Sequence, residues 1–412
     1  PAARGCAFSP TVGEVDGQVA LDEASMRARV SSRAYRRSLA TWTESLREEM
    51  RAPRLRMVAW IATRRCNLAC RYCAVPSEQA SGQELSTDEA LRIFDDIATS
   101  FDPREITVGI TGGEATLRGD LVALVGALVK RGFKQVAVDS NGLQYGRDPS
   151  LFDRLVDAGM RGPTISVDGW SAAPGGSPGQ RAMRGDPTGG ALTWKAIEYA
   201  QTRYPRLGTT TICGVSPYNI DEYPAVFDRF EQLGITFARI SPIFAGGRAV
   251  PNADLALSPS RLRAVMDWIA TQRARFVDGQ RTLEVELIDD GWCGLEWEGG
   301  LLRGGFYSCQ AGLGLMGLEH DGRIVGCPVI GEGFNVQGDA RRESVGHVWR
   351  ERFRAFRDRS WLRQGPCEAC AEWAFCQGGS LHHRSASGAL LDCTARTLRG
   401  QETARRRLPV VR

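Results

Sequence analysis

The chain has 412 residues, 42% of them hydrophobic and 24% charged, with a formal net charge of +4. That length accommodates two or three domains and a large core, and the balance is that of an ordinary globular protein. A charge this small, with scattered arginines, leaves no basic field for nucleic acid, and the longest apolar run, residues 121–129, falls far short of the ~20 residues that span a bilayer.

No basic segment followed by an apolar one marks the amino terminus as a secretion signal. The twelve cysteines are therefore expected as metal ligands in a reducing cytoplasm rather than as disulfides. Residues 21–50 carry Tyr35, Leu39, Trp42, Leu46 and Met50 at spacings of three and four, the period of an amphipathic helix. Arginines and glutamates fill its other face, and Pro53 closes the segment. This extension, residues 1–52, is expected to pack on the outside of the next domain; a cradle for a substrate leader is the other reading.

From residue 55 strand-like runs alternate with helical ones. A strand over 55–62 leads into Arg65-Cys66-Asn67-Leu68-Ala69-Cys70-Arg71-Tyr72-Cys73, where three cysteines crowd one short turn. Thiolates are soft ligands that suit zinc and iron-sulfur clusters. Three of them can grip three corners of a cubane and leave the fourth iron open, whereas a structural site closes its coordination shell. A zinc knuckle, or from the CxxC pair alone a thioredoxin-like redox site, is the alternative. The lack of a nearby fourth cysteine weakens both.

A helix over 86–99, capped by Ser86 or Thr87, is followed by a strand over 105–111, a helix over 119–131 and a strand over 134–139. A helix over 149–158 with Pro149 in its first turn leads to a strand over 162–167. A helix over 188–203, a strand over 207–214, a helix over 220–233, a strand over 235–241 and a helix over 258–277 complete six βα units. Such alternation predicts a parallel sheet covered by helices, with too few units to close an eight-stranded barrel.

Chemistry in these folds sits at the carboxyl ends of the strands. There the sequence places Thr111-Gly112-Gly113-Glu114, Ser140-Asn141-Gly142, Ser166-Val167-Asp168-Gly169 and, on the fifth strand, Cys213. Plain turn chemistry also accounts for the first three, since Asn-Gly and Asp-Gly favour turns. The Gly-, Pro- and Ser-rich loop over 170–190 exceeds most βα connections and is either a lid or an insert.

The CxxxCxxC spacing, with Tyr72 just before the last cysteine, resembles the signature of the radical S-adenosylmethionine (radical SAM) superfamily. Over residues 55–290 the six units are similar to that family's open partial barrel. The resemblance implies that Cys66, Cys70 and Cys73 bind a [4Fe-4S] cluster whose open iron is chelated by SAM, with Tyr72 beside the adenine. It implies that Gly112 and Gly113 let the backbone approach the SAM amino group, that Glu114 receives its charge, and that Ser140, Ser166 and Asp168 meet the ribose or methionine end. The stretch 239–249, ending Gly246-Gly247-Arg248-Ala249, resembles the segment that receives adenine. Reductive cleavage of SAM, fed by a flavodoxin- or ferredoxin-type electron donor, would give a 5′-deoxyadenosyl radical that removes a hydrogen atom from an unactivated C–H bond.

Past residue 290 the alternation stops. Cys309, Gly322 and Cys327 follow the form C-x12-G-x4-C, Cys367, Cys370 and Cys376 follow at x2 and x5, and Cys393 comes last. This resembles the SPASM domain, an appendage that carries auxiliary iron-sulfur clusters, and residues 344–349 resemble the helix linking its halves. The implied fold class is α/β: a partial (β/α)6 radical SAM barrel over 53–291, a small C-terminal Cys-rich SPASM domain over 292–398 and a tail over 399–412.

One position departs from the pattern. A cysteine is required four residues after Cys376, where the sequence has Ser380 within Gln377-Gly378-Gly379-Ser380-Leu381-His382-His383. Serine is a poor ligand for such clusters. The resemblance assigns an outer auxiliary cluster to Cys367, Cys370, Cys376 and Cys393. A nearer one falls to Cys293, Cys309 and Cys327 with an open or unusual fourth ligand, His382 and His383 being alternatives to a packing role. Cys6 and Cys213 are left over. Cys213, if it faces the barrel interior, is either an inert buried thiol or a hydrogen-atom donor to a substrate radical.

The expected activity is oxidation or crosslinking of a ribosomally made peptide, the auxiliary clusters accepting an electron from the substrate radical. Dehydrogenation or epimerisation of a sugar, aminoglycoside or cyclitol in antibiotic assembly is the alternative. A third is an iron-sulfur or zinc protein that binds partners without catalysis. The partners expected are SAM, a peptide or small glycoside, and the electron donor, with neither nucleic acid nor membrane.

Overall fold

A computed structural model describes residues 23–75, 83–288 and 291–400. Cys6, with residues 1–22 of the expected extension, and residues 401–412 of the expected tail lie outside the described residues. Six strands run parallel and side by side in chain order: β1 (Met57–Thr63), β2 (Thr107–Gly112), β3 (Gln135–Ser140), β4 (Thr164–Ser166), β5 (Thr210–Val215) and β6 (Phe237–Pro242). The helices are α1 (Glu23–Ser31), α2 (Arg33–Arg51), α3 (Thr87–Ser100), α4 (Leu121–Lys130), α5 (Leu143–Arg147), α6 (Pro149–Asp157), α7 (Pro178–Arg184), α8 (Ala191–Arg203), α9 (Tyr223–Gln232) and α10 (Pro259–Val277). Parallel strands need such crossovers, and the helices cover the sheet's apolar face.

Strand alternation decides what is core. Val58 and Trp60 of β1 are buried, and Trp60 meets Phe94 of α3 edge-on at 5.2 Å. Val108 and Ile110, Val136 and Val138, Ile165, Cys213 and Ile240 continue the same apolar layer. Helix α3 begins where the sequence said it would: Ser86 Oγ accepts from the Glu89 N–H at 3.2 Å while the Glu89 carboxylate accepts from the Ser86 N–H at 2.8 Å. That reciprocal cap satisfies two donors the helix leaves over.

The sheet extends beyond the six strands. On one edge β7 (Glu284–Leu287) pairs parallel with β6. On the other, β8 (Leu315–Leu318) pairs parallel with β1, followed by antiparallel β9 (Arg323–Val325) and β10 (Val336–Asp339). The order is β10-β9-β8-β1-β2-β3-β4-β5-β6-β7, so the sheet stays open. The regular alternation therefore does not stop with α10. β7 escaped notice because Glu284 and Glu286 alternate with Val285 and Leu287, and these carboxylates are answered by Arg273 of α10 at 3.4 and 3.3 Å. β8 is only four residues long and lies among glycines.

Two further expectations change. The helix over 21–50 is broken at Ser32, whose hydroxyl caps α2 by accepting from the Tyr35 N–H. Its apolar stripe, Tyr35, Leu39, Trp42 and Leu46, packs against Trp292, Phe306, Leu313 and Ala395. The extension thus seats on the Cys-rich carboxyl-terminal region, not on the outside of the barrel. The loop over 170–190 contains α7, started by Ser177 Oγ accepting from the Gln180 N–H at 2.9 Å and ended by Gly185 at φ +63°. Among the described residues no helix is long and apolar enough to cross a membrane.

Candidate functional site

Loops at the carboxyl ends of β1, β2, β4 and β6 meet around the three-cysteine turn. The Gly113 N–H donates to the Thr63 carbonyl and the Glu114 N–H to the Arg65 carbonyl, both at 2.8 Å. From the far side, the Arg248 N–H reaches the Cys73 carbonyl at 2.9 Å and its guanidinium the Cys70 carbonyl at 3.0 Å. Asn252 donates to the Arg71 carbonyl at 3.1 Å, and the Arg71 N–H donates to the Met183 carbonyl of α7 at 2.8 Å. These contacts hold the turn through its backbone.

These approaches require glycine. A Cβ on Gly113 would sit 2.3 Å from the Arg65 carbonyl oxygen, and one on Gly247, at φ +51°, 2.2 Å from that of Cys73. Gly113→Ala is accordingly expected to displace the cysteine turn and lower iron uptake on anaerobic reconstitution, with secondary structure by circular dichroism unchanged. Iron content equal to that of the parent chain would contradict this.

Cys66, Cys70 and Cys73 form no disulfide. Burial pushes the Cys70 thiol up to about 12 and the Cys66 thiol upward, Cys73 adding to both shifts and Arg184 opposing both. Cys66 and Cys70 are therefore neutral thiols until a cation is present, since a coordinating metal removes the proton. Among the described residues no three Cys, His, Asp or Glu side chains converge on a point that would hold a single metal ion. A cubane takes each thiolate on a different iron and needs ligands that ring a space rather than meet. Three soft donors outside any disulfide, on a clasped loop, fit such a cluster.

The expected SAM-facing side chains are differently engaged. Glu114 is buried, and its carboxylate accepts from Ser140 Oγ at 2.8 Å, the Asn141 N–H at 2.7 Å and the Thr116 N–H at 3.2 Å. Burial pushes this carboxyl up against the pull of those hydrogen bonds. Asn141 in turn donates to Asn67 of the cysteine turn at 2.7 Å. Glu114 and Ser140 therefore satisfy each other and tie the ends of β2 and β3 to the turn. Ser166 is half-buried, and among the described residues its hydroxyl makes no hydrogen bond.

Asp168 is wholly buried and is the hub of a second knot. It accepts from Arg184 Nε at 2.6 Å, from the Gly214 N–H at 2.8 Å and from the Tyr72 hydroxyl. Burial opposes the charge on Arg184, but Asp168, with Tyr72 and Cys70 beside it, outweighs burial and holds the guanidinium charged. Burial pushes the Tyr72 phenol far up, Asp168 adding to the effect and Arg184 opposing it. Sequence reasoning missed Arg184. Its signal was a Ser-Pro start and a Gly stop, Ser177, Pro178 and Gly185, around a helix in what read as an irregular loop.

Cys213 is not where a hydrogen-atom donor has to be. It pairs across the sheet with Ile240, is fully buried, and belongs to the apolar layer under the helices. The neighbouring Gly214 faces the site instead, where a Cβ would lie 3.3 Å from Asp168 Oδ1 and 3.6 Å from Tyr72 Cζ. The interior-facing expectation for Cys213 is corrected by the strand register, and burial pushes its thiol well up.

In the carboxyl-terminal region Cys367, Cys370, Cys376 and Cys393 stand together. The Cys376 thiol is pushed well up by burial and then by those three neighbours, and Arg384 Nη2 donates to Cys367 Sγ at 3.4 Å. These four can hold one cluster between them. Cys293 is buried with Arg303 Nη2 3.9 Å from its sulfur, the Cys309 carbonyl accepts from Arg359 at 2.7 Å, and the Cys327 backbone is pinned by Asn335. Ser380, His382 and His383 are all buried, so neither histidine is a surface residue.

A family model described as the Radical SAM superfamily matches residues 60–230, and one described as an iron-sulfur cluster-binding domain, SPASM, matches residues 309–371. The chain is 26% identical to the AdoMet-dependent heme synthase of Nitratidesulfovibrio vulgaris, over 77% of this chain and 86% of that protein. It is 24% identical to the mycofactocin maturase MftC of Mycolicibacterium smegmatis, over 81% and 80% respectively. Streptococcus suis SuiB bound to the precursor peptide SuiA superposes with a TM-score of 0.63 at 13% identity, covering 89% of this chain and 82% of that one, a likeness of fold.

Proposed function

The chain belongs to the radical SAM superfamily and carries a SPASM domain, and from that premise we propose that it is a peptide-modifying radical SAM oxidoreductase. The observation that carries this reading is the turn with Cys66, Cys70 and Cys73, whose backbone is clasped from three sides and whose cysteines form no disulfide. When bound there, a [4Fe-4S] cluster with SAM on its open iron supplies a 5′-deoxyadenosyl radical that removes a substrate hydrogen atom.

The chain's own residues do the rest. Gly112 and Gly113 bring the β2 loop against the turn. Glu114, Ser140 and Asn141 lock it from below, and Asp168 with Arg184 and Tyr72 supplies a buried, pre-oriented charge pair beside Cys70. The hydroxyl of Ser166, which makes no hydrogen bond among the described residues, is available to a ligand. Fixed dipoles and charges in a site shielded from water act without reorganisation cost. Auxiliary clusters on Cys367, Cys370, Cys376 and Cys393, and on Cys293, Cys309 and Cys327, would receive the electron that turns hydrogen abstraction into net oxidation.

The 27% identity to a PqqA peptide cyclase and the likeness of fold to peptide-bound SuiB support a peptide substrate. The similarity to the heme synthase favours a second reading, a heme-type macrocycle. The test is anaerobic reconstitution with iron and sulfide, then incubation with SAM and dithionite. Formation of 5′-deoxyadenosine is expected, and its absence from a fully loaded chain, or a fully ligated zinc ion on the turn, defeats the proposal. With a candidate peptide or porphyrin supplied, the one whose deuterated form passes label to 5′-deoxyadenosine identifies the substrate class.

A further inference from the structure

The position where the SPASM pattern asks for a fourth cysteine is occupied by Ser380, and the structure shows what surrounds it. Ser380 is 2% exposed. Its hydroxyl lies 2.9 Å from the Tyr307 hydroxyl, two residues before Cys309, and 2.9 Å from a ring nitrogen of His382. The chain leading to Cys293 passes directly beneath: a Cβ on Gly291 would come within 2.9 Å of the Ser380 nitrogen. The segments bearing Cys309 and Cys327 meet on Phe356, since Cβ atoms on Gly312 and Gly326 would each press on that side chain, at 2.3 and 2.1 Å. The Ser380 hydroxyl thus stands beside the segments that bear Cys293 and Cys309, and an imidazole is within one hydrogen bond of it.

That imidazole is held in place. The ring of His382 packs on Phe244, just past the end of β6, at a centroid distance of 4.1 Å, and the residue is 7% exposed. Imidazole is an established nitrogen donor to iron-sulfur clusters, replacing thiolate and raising the reduction potential. A serine hydroxyl, hard and weakly acidic, is a poor match for such iron.

We infer that His382 supplies the fourth ligand of the auxiliary cluster nearer the barrel, completing a Cys293, Cys309, Cys327 and His382 set, with Ser380 and Tyr307 orienting the ring before iron binds. The inference rests on the proposed presence of a cluster at those cysteines. The neutral ring binds through one nitrogen lone pair, giving up its hydrogen bond to Ser380, and no electron is transferred. A mixed thiolate and imidazole set carries less negative charge than four thiolates, which suits a cluster that accepts electrons from a substrate radical.

The test uses the full chain carrying Cys66→Ala, Cys70→Ala and Cys73→Ala, which removes SAM-bound nitrogen from the spectrum, reconstituted anaerobically and reduced. Pulsed EPR is expected to show an imidazole-type nitrogen coupling that switches isotope when histidine is supplied as the 15N form. The coupling is expected to vanish in His382→Ala and to persist in His383→Ala. In Ser380→Cys it is expected to vanish with iron content unchanged, because a thiolate then takes the iron; a merely structural histidine predicts no such exchange. His382→Cys, which keeps a ligand and guards against a folding defect, is expected to retain iron without the coupling. A coupling that is absent, or that survives His382→Ala, overturns the inference. In that case loss of iron in Cys309→Ala leaves the nearer cluster standing, whereas unchanged iron in Cys309→Ala removes that cluster and the inference together.

Discussion

Replacing any one of Cys66, Cys70 or Cys73 by alanine is expected to reduce 5′-deoxyadenosine formation to the background of the metal-free chain and to remove about four irons per chain, one cubane's worth. Three thiolates are the fewest that hold a cubane while leaving an iron for SAM, and nothing on the turn can substitute. The effect is expected to be chemical and not structural. The turn is fixed by backbone bonds such as Gly113 N–H to Thr63 and Arg248 N–H to Cys73, none of which uses a sulfur. Circular dichroism and the unfolding midpoint of the metal-free chain should therefore match the parent. Iron held by the carboxyl-terminal cysteines should remain, since Cys367, Cys370, Cys376 and Cys393 form a separate group. SAM cleavage at the parent rate in any of the three variants would remove the turn from the chemistry.

The second large effect is on stability. Asp168 is 0% exposed and Arg184 has 8% of its side chain exposed, with Nε and Oδ2 2.6 Å apart. Removing one member of a buried pair leaves the other as an uncompensated charge, at a cost of about 3–5 kcal/mol. Asp168→Asn strands the guanidinium; Arg184→Met strands the carboxylate and takes the support from α7, whose Met183 carbonyl holds the Arg71 N–H. The double variant carries neither charge, and Asn still accepts from the Gly214 N–H. It is expected to be less destabilised than either single variant. Denaturant unfolding of the three metal-free chains measures this, and simple additivity of the two single losses would mean that the pair does not act as a unit.

What the sequence by itself determined is local. The x3 and x2 spacings of the cysteine turn, the six strand-helix alternations, the Ser86 cap and the spacing of the last cysteines are each legible within a few residues. A period of two or of 3.6 is written into neighbouring side chains, so element type and donor chemistry can be read without knowing the fold. Even so, α7 and β7 were overlooked, because seven residues rich in Gly and Arg, and a strand alternating with glutamates, look like loops until Asp168 and Arg273 are beside them.

Only the tertiary structure decided what faces what. Alternation divides β5 into two faces but does not say which is inward, and pairing with β6 put Cys213 under the helices and Gly214 at the site. Arg184 acquires meaning from a carboxylate 16 residues earlier and a turn more than a hundred residues away, and Ser380 from Tyr307, 73 residues before it. The stripe of α2 announced that something would be buried, and only packing showed that Trp292 and Phe306 bury it. A buried charge or a ligand set is a property of atoms brought together in space, where desolvation and distance set the energies, and neither quantity exists along the chain.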